Sequence, residues 1–257
     1  MREVIMREVI IKTENLCKSF IIGKNGNNVL KNLNIEIYKG DFTAIMGASG
    51  SGKSTLLYAL STMDNPTSGR VELLGKDISK INEEKAAEIR NKDISFIFQG
   101  INLLPDLTIF ENITYAAIYN RKNKRDIIER TNKLLKDLEL YEHKDKYPSE
   151  VSGGMQQRVA IARSIINNPK VIFGDEPTGA LNSSTGKVVL DILSEINDKG
   201  QSIVMVTHDV KTALRANRIL YIKDGRIDGE LNLGKYTEEN IRERREKVQE
   251  FLEEKSW

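Results

Sequence analysis

The run Gly47-Ala48-Ser49-Gly50-Ser51-Gly52-Lys53-Ser54-Thr55 constrains this chain more than any other stretch. It fits G-x-x-x-x-G-K-[ST]. A short apolar strand pattern, Phe42 to Met46, precedes it, and a helical pattern from Ser54 to Thr62 follows, stopped by Asp64-Asn65-Pro66. The glycines let the backbone curl until its N–H groups converge on phosphate oxygens. A helix opening near Lys53 adds its positive dipole end. The spacing therefore makes Gly47, Ala48, Ser49, Gly50, Ser51, Gly52, Lys53, Ser54 and Thr55 a candidate phosphate cradle. Lys53 can reach the β- and γ-phosphates, the Ser54 hydroxyl can ligate Mg²⁺, and Thr55 can touch the α-phosphate.

The rest of the chain repeats the strand-then-helix rhythm. Val9-Ile10-Ile11 and Leu33-Asn34-Ile35-Glu36-Ile37 read as strands, with a loop at Gly23 to Asn28 between them. Val71 to Leu74 and Ile94 to Phe98 read as further strands. Ile127, Thr131, Leu134, Leu135 and Leu138 recur on one face of a helix. Helix 155–166 ends at Asn168-Pro169; strand 171–173, helix 185–197 and strand 203–207 follow. This order predicts an α/β fold with a mostly parallel sheet and helices on both faces. Thr237 with Glu238 and Glu239 predicts the start of a charged C-terminal helix, docked loosely through Ile241, Val248, Phe251 and Leu252.

In an open α/β sheet, ligands sit beyond the carboxyl ends of the strands. Each expected core strand here ends in a phosphate- or metal-competent residue. Strand 94–98 runs into Gln99, strand 171–173 into Asp175 and Glu176, and strand 203–207 into His208. Charge and reach assign their roles. Asp175 can hold Mg²⁺. Glu176 is placed to polarise an attacking water. Gln99 can bridge the metal and that water. His208 can hydrogen-bond the γ-phosphate.

Bulk properties narrow the setting. At 257 residues, the chain suits one large domain or a domain with a subdomain. A net charge of +2 gives no footing for nucleic acid. The single cysteine, Cys17, can form neither an internal disulfide nor a thiolate metal cluster, which predicts a reducing, cytosolic setting. No apolar run approaches the roughly 20 residues a membrane span needs, and no secretory signal is apparent. Work at a membrane would then require another chain to supply the spans. Met1-Arg2-Glu3-Val4-Ile5 repeats as Met6-Arg7-Glu8-Val9-Ile10; it reads as a duplicated or misassigned start and is given no function.

Val151-Ser152-Gly153-Gly154-Met155-Gln156-Gln157-Arg158 makes the resemblance specific. With the motifs above, it resembles the signature of the ATP-binding-cassette (ABC) family over about residues 8–230. The resemblance implies a P-loop NTPase (RecA-like) core, an N-terminal antiparallel β subdomain and a helical subdomain at about 101–152 that meets a membrane permease. Residues 235–257 would be a separate charged tail. It also implies ATP hydrolysis with Mg²⁺ and an ATP-dependent homodimer in which two cassettes pack head to tail. Ser152, Gly153, Gly154 and Met155 would then face the γ-phosphate held by the second copy. Ser152 reads as a helix N-cap, which suits that role. Phe20 matches the aromatic that stacks on adenine, and Gly179-Ala180-Leu181-Asn182 matches the loop crossing the dimer interface. The implied location is the cytoplasmic face of the membrane, bound through the permease.

Finer stretches divide the family. Asn102-Leu103-Leu104-Pro105 and Glu111-Asn112 resemble the exporter-like branch of macrolide and lipoprotein-release systems. Ala59 to Asp64, Thr178 to Ser183 and Met205 to Lys211 look like bacitracin-type peptide-antibiotic resistance cassettes, which pair with a large permease and, through it, a sensor kinase. A lipoprotein-release, macrolide-export or cell-division cassette is the alternative. The chain departs from the wider family at Ala48, Val151, Met155 and Asn182; none of these removes a phosphate or metal ligand, and Asn182 is expected to weaken coupling between the two sites. DNA-repair cassettes are disfavoured by the lone cysteine and the lack of sustained heptads. A GTPase is disfavoured because Asn91-Lys92-Asp93 is followed by Ile94 where N-K-x-D needs Asp.

Overall fold

The computed structural model describes residues 7–23, 25–118 and 123–257. The first copy of the N-terminal repeat lies outside the described residues. Along the chain run β1 (Val9–Ile22), β2 (Asn25–Leu33), β3 (Glu36–Tyr38), β4 (Phe42–Met46), α1 (Lys53–Leu60), β5 (Ser68–Leu73) and β6 (Lys76–Asp77). Next come α2 (Glu83–Lys92), β7 (Ile94–Ile97), α3 (Ile109–Ile118), α4 (Lys124–Asp137), α5 (Gly153–Ile165), β8 (Val171–Asp175) and α6 (Ser183–Asp198). The chain closes with β9 (Ser202–Val206), α7 (Val210–Ala213), β10 (Arg218–Lys223), β11 (Arg226–Asn232) and α8 (Ile241–Glu254). These elements form two compact units, one of Met1–Ala86 with Asn197–Trp257, the other of Ala87–Ile196.

In the first unit, an antiparallel sheet runs β2-β1-β5-β6, with β3 also on β1. Two expectations fail here. The loop predicted at 23–28 is the end of a hairpin: β2 begins at Asn25, and Phe20 pairs with Asn27 and Ile21 with Gly26. Gly26, Asn27 and Asn28 are exposed, so their backbone pairing leaves no apolar pattern to read. The single strand expected over 33–37 is broken between β2 and β3. The Thr13 hydroxyl occupies the break, donating to Leu33 O at 2.9 Å and accepting from Ile35 N at 3.1 Å.

The same unit carries a second sheet in the order β11-β10-β4-β9. β10, β4 and β9 are parallel, and β11 closes an antiparallel hairpin with β10. Every residue of β4 and β9 is buried, which explains their unbroken apolar runs. α1 packs on β9, β2 and β5. It stops at Leu60, two residues short of the expected end, because Thr62 turns left-handed at φ 62°.

The C-terminal helix also differs from expectation. It begins at Ile241, after a turn in which the Asn240 side chain accepts from Thr237 N at 3.1 Å. Nor is it loosely docked. Val248, Phe251 and Leu252 are buried, and so is Arg244, at 2% exposure. The Arg244 guanidinium donates to Leu214 O at 2.8 Å, to Leu233 O and Gly234 O at 3.1 Å, and to Ala216 O.

In the second unit, β7 and β8 pair in parallel. α3 and α4 pack together with α5 around Ile109, Ile113, Leu135, Leu140, Val159, Ala162 and Ile166, all fully buried. Each of the Ile, Leu and Val side chains contributes about 1.5–3 kcal/mol by leaving water. The apolar face read from the sequence, Ile127, Thr131, Leu134 and Leu135, is the buried face of α4. No helix among the described residues is long and apolar enough to cross a membrane.

Candidate active site

The phosphate loop belongs to the first unit and follows β4 directly. Its glycines have distinct local reasons. Gly47 sits at φ 152°, and a Cβ there would lie 2.2 Å from Ile222 O and 2.7 Å from Ser51 Oγ. Gly52 sits at φ 104°, and its Cβ would lie 2.9 Å from Leu30 Cδ2. Gly50 has open space around it but a φ of 78°. Gly225 N donates to Ser51 O at 3.1 Å, tying the β10–β11 turn to the loop.

The loop has what an anion needs. Gly52 is the N-cap of α1 and offers no side-chain cap, so the first-turn N–H groups face outward with the helix dipole behind them. Lys53 is 9% exposed and donates to Gly47 O at 2.8 Å and Ala48 O at 2.9 Å, which holds its ammonium over the loop. The Ser51 hydroxyl is buried and has no hydrogen-bond partner among the described residues. Ser54 and Thr55 follow in the first turn of α1. These features fit a triphosphate and the metal that travels with it.

Phe20 stands on β1 and is 40% exposed. One face of its ring is covered by Lys18, whose Nζ lies 5.0 Å from the centroid and is anchored by Asp64 at 2.6 Å. His208 lies two residues past β9, between two fixed neighbours. Buried Thr207 donates from N to Ile45 O at 3.1 Å, and the Asp209 side chain caps α7 by accepting from Lys211 N at 3.0 Å.

In the second unit, β7 leads to Gln99, and Asp175 is itself the last residue of β8 rather than a residue beyond a strand ending at 173. Glu176 takes a left-handed conformation at φ 45°, rare for a residue with a Cβ and costing on the order of 1–3 kcal/mol. Glu176 O accepts from Gly179 N at 2.9 Å. A Cβ on Gly179 would meet Gln99 Nε2 at 3.0 Å and Glu176 Oε2 at 3.5 Å. The amide of Gln99 and the carboxylate of Glu176 thus close on the same glycine from two different strand ends.

The segment after Val151 begins α5 at Gly153, two residues earlier than expected. Ser152 is its N-cap, accepting from Met155 N at 3.4 Å. Gly154 lies against Thr185 of α6, whose Cγ2 would stand 2.1 Å from a Cβ there, so a side chain at 154 would force the Thr185 side chain to move. Val151 and Met155, two of the departures from the wider family, pack against the helical core. A third, Asn182, accepts through Oδ1 from Thr185 N at 2.9 Å and caps α6, a task Asp performs equally well. Asn112, buried at 1%, accepts from Leu104 N at 2.8 Å and donates to Leu104 O at 3.0 Å. It joins the two stretches that carry the exporter-like resemblance. Sequence reasoning missed the carbonyl of Ile222, which shapes the phosphate loop; a backbone atom brought in by sheet order leaves no local pattern.

Comparison with known proteins places this geometry. Residues 30–179 match the family described as ABC transporter. The chain is 46% identical over 218 residues to a macrolide export ATP-binding/permease protein MacB of Campylobacter jejuni, covering 85% of this chain and 33% of that protein. It thus spans about a third of the length of that relative. It is 44% identical to a lipoprotein-releasing system ATP-binding protein LolD of Aquifex aeolicus, covering 86% of this chain and 97% of the relative. Among solved structures, the dimeric post-hydrolysis state of the ATP-binding cassette MJ0796 with ADP and Pi is similar at a TM-score of 0.81 and 38% identity, covering 88% of this chain and all of that one. The chain belongs to the ABC transporter family, as one of its ATP-binding cassettes.

Proposed function

We propose that this cassette, an ABC-family ATPase, works as one of two copies that close over ATP and move a membrane permease. The observation that carries the reading is the phosphate loop, with its glycine-capped helix N-terminus and the Lys53 ammonium folded over it. Gly47 to Thr55 cradle the phosphates, and Phe20 offers its open ring face to the adenine. Ser54, Gln99 and Asp175 are the residues that would hold Mg²⁺. Mg²⁺, when bound, neutralises charge on the phosphate oxygens. Glu176 accepts the proton of the attacking water, Gln99 orients that water, and His208 hydrogen-bonds the γ-phosphate. Ser152 to Met155 present a helix N-terminus to the γ-phosphate held by the second copy. The helical segment 101–152 contacts the permease at the cytoplasmic face of a membrane.

Two readings of the cargo remain distinct. Ala59 to Asp64, Thr178 to Ser183 and Met205 to Lys211 support a peptide-antibiotic system of bacitracin type, with a sensor kinase reached through the permease. The relatives named for macrolide export and lipoprotein release support the other. Reconstitution with a permease of each kind tests the choice: the matching permease should raise ATP hydrolysis by the purified chain, and stimulation by neither would remove both cargo readings. Loss of ATP affinity in Lys53→Ala tests the phosphate-loop reading, and unchanged affinity would overturn it.

A further inference from the structure

The turn that follows Gln99 is strained. Ile101 and Asn102 are successive left-handed residues, at φ 50° and 51°, and neither is glycine. Each costs on the order of 1–3 kcal/mol against an ordinary conformation, so the turn persists only if its surroundings impose it. Asn102 N donates to Gly100 O within the turn, but that bond is local and would form in other arrangements as well.

The outside constraint comes from Arg163 on α5. Its Nη1 donates to Asn102 O at 2.7 Å and its Nη2 to Ile101 O at 3.1 Å. A planar guanidinium with two donors in fixed geometry sets the orientation of two successive peptide planes, which a single donor cannot do. Burial lowers the Arg163 pKa from its usual value, yet an arginine stays charged at neutral pH. The platform beneath it is closely packed and hydrogen-bonded. Val159, Ala162 and Ile166 are fully buried against the helical core. Arg130 Nη2 donates to Ile165 O at 2.8 Å, and Arg158 Nη1 donates to Leu138 O at 2.9 Å.

We infer that Arg163 is a positioning residue for ATP hydrolysis, holding the Ile101–Asn102 turn so that the Gln99 amide stays beside Glu176. It acts not on the nucleotide or the water but through the backbone of the segment that carries Gln99. This rests on the role proposed above for Gln99. The helix that begins at the Ser152 cap is the same helix that ends at this clamp, so its placement and that of Gln99 are mechanically one.

Steady-state ATPase kinetics on the full chain test it with Arg163→Met, Arg163→Lys, Gln99→Ala and the Arg163→Met/Gln99→Ala double variant. Arg163→Met should lower kcat at least about tenfold with little change in KM, as misplacement of a reacting group does. Arg163→Lys, which keeps the charge and one donor at a time, should recover part of that loss. In the Gln99→Ala background, Arg163→Met should lower kcat no further. A role confined to stability would instead lower the melting temperature equally in both backgrounds and leave kcat per folded molecule unchanged. Multiplicative losses in the double variant, or an unchanged kcat in Arg163→Met, would overturn the positioning role alone. An unchanged kcat in Gln99→Ala would overturn the Gln99 assignment and this inference with it. If Arg163→Met does not fold, the Arg163→Lys cycle carries the same decision.

Discussion

The carbonyl oxygen of Ile222, near the end of β10, stands 2.2 Å from where a Cβ on Gly47 would lie. β10 pairs in parallel with β4, with Tyr221 opposite Met46, so the strand that supports the phosphate loop also closes the space beside its first glycine. The loop is shaped from below by backbone, which cannot retreat as a flexible side chain would.

Gly47→Ala is therefore expected to displace the loop. The added methyl meets Ile222 O and Ser51 Oγ at φ 152°, a conformation side chains rarely adopt. ATP affinity should fall at least about tenfold, since phosphate contacts depend on sub-ångström placement of N–H groups. Gly50→Ala has open space and only the φ cost, so it should lose less. Nucleotide titration by fluorescence or calorimetry checks the order of the two.

Glu176→Gln keeps the size of the side chain and removes its basicity. Hydrolysis should fall by about 10²–10⁴-fold, the range for loss of a positioned base, while ATP affinity is kept. The ATP-bound chain should then accumulate as a dimer on size-exclusion chromatography. Near-normal phosphate release would remove Glu176 from the role of base.

Arg244→Met should destabilise the chain by about 2–4 kcal/mol, because it leaves several buried carbonyls without a donor. Those of Leu214 and Ala216 lie just beyond the His208 turn, and those of Leu233, Gly234 and Lys235 follow β11. Urea unfolding gives the magnitude, and early proteolysis within α8 is expected alongside it. Wild-type stability would mean that the apolar stripe alone holds the helix.

Acid should weaken the β10–β11 hairpin in a specific window. Arg218, nearly buried, donates from Nε to Glu230 Oε1 at 2.6 Å, and this bond, reinforced by the guanidinium charge, holds the Glu230 carboxyl below its usual value. The folded state thus binds fewer protons than the unfolded one. The contribution is complete above the unfolded-state pKa and is lost as pH falls through the lowered folded-state value. Glu230→Gln should cost about 1 kcal/mol at neutral pH, allowing for partial exposure of the pair, and nothing once Glu230 itself is protonated. Unfolding curves of both proteins from pH 7 into the acid range test the convergence.

Much of the candidate site was legible because its motifs are encoded at short spacing. Gly47 to Gly52 form a loop that runs straight into the helix opened by Lys53, Ser54 and Thr55, and Ser152 caps the helix that its own next residues build. Gln99, Asp175, Glu176 and His208 could be placed at strand ends because buried parallel strands are continuous apolar runs. The β1–β2 hairpin was not legible, since exposed Asn and Gly pair through backbone atoms that carry no hydrophobic period. Nor was the docking of α8, whose decisive residue is a charged one in a charged stretch.

By itself, then, the sequence determined the phosphate-loop and helix-cap motifs, the core strands β4, β7, β8 and β9, and the family, all of which depend on residues near one another in the chain. The tertiary structure alone decided which backbone closes on Gly47, which side chain lies against Gly154, and where the guanidinium groups of Arg163 and Arg244 go. The physical reason is common to these. Close approaches and buried polar partners are settled by packing between segments far apart in sequence, and a carbonyl oxygen presents the same group whichever residue carries it.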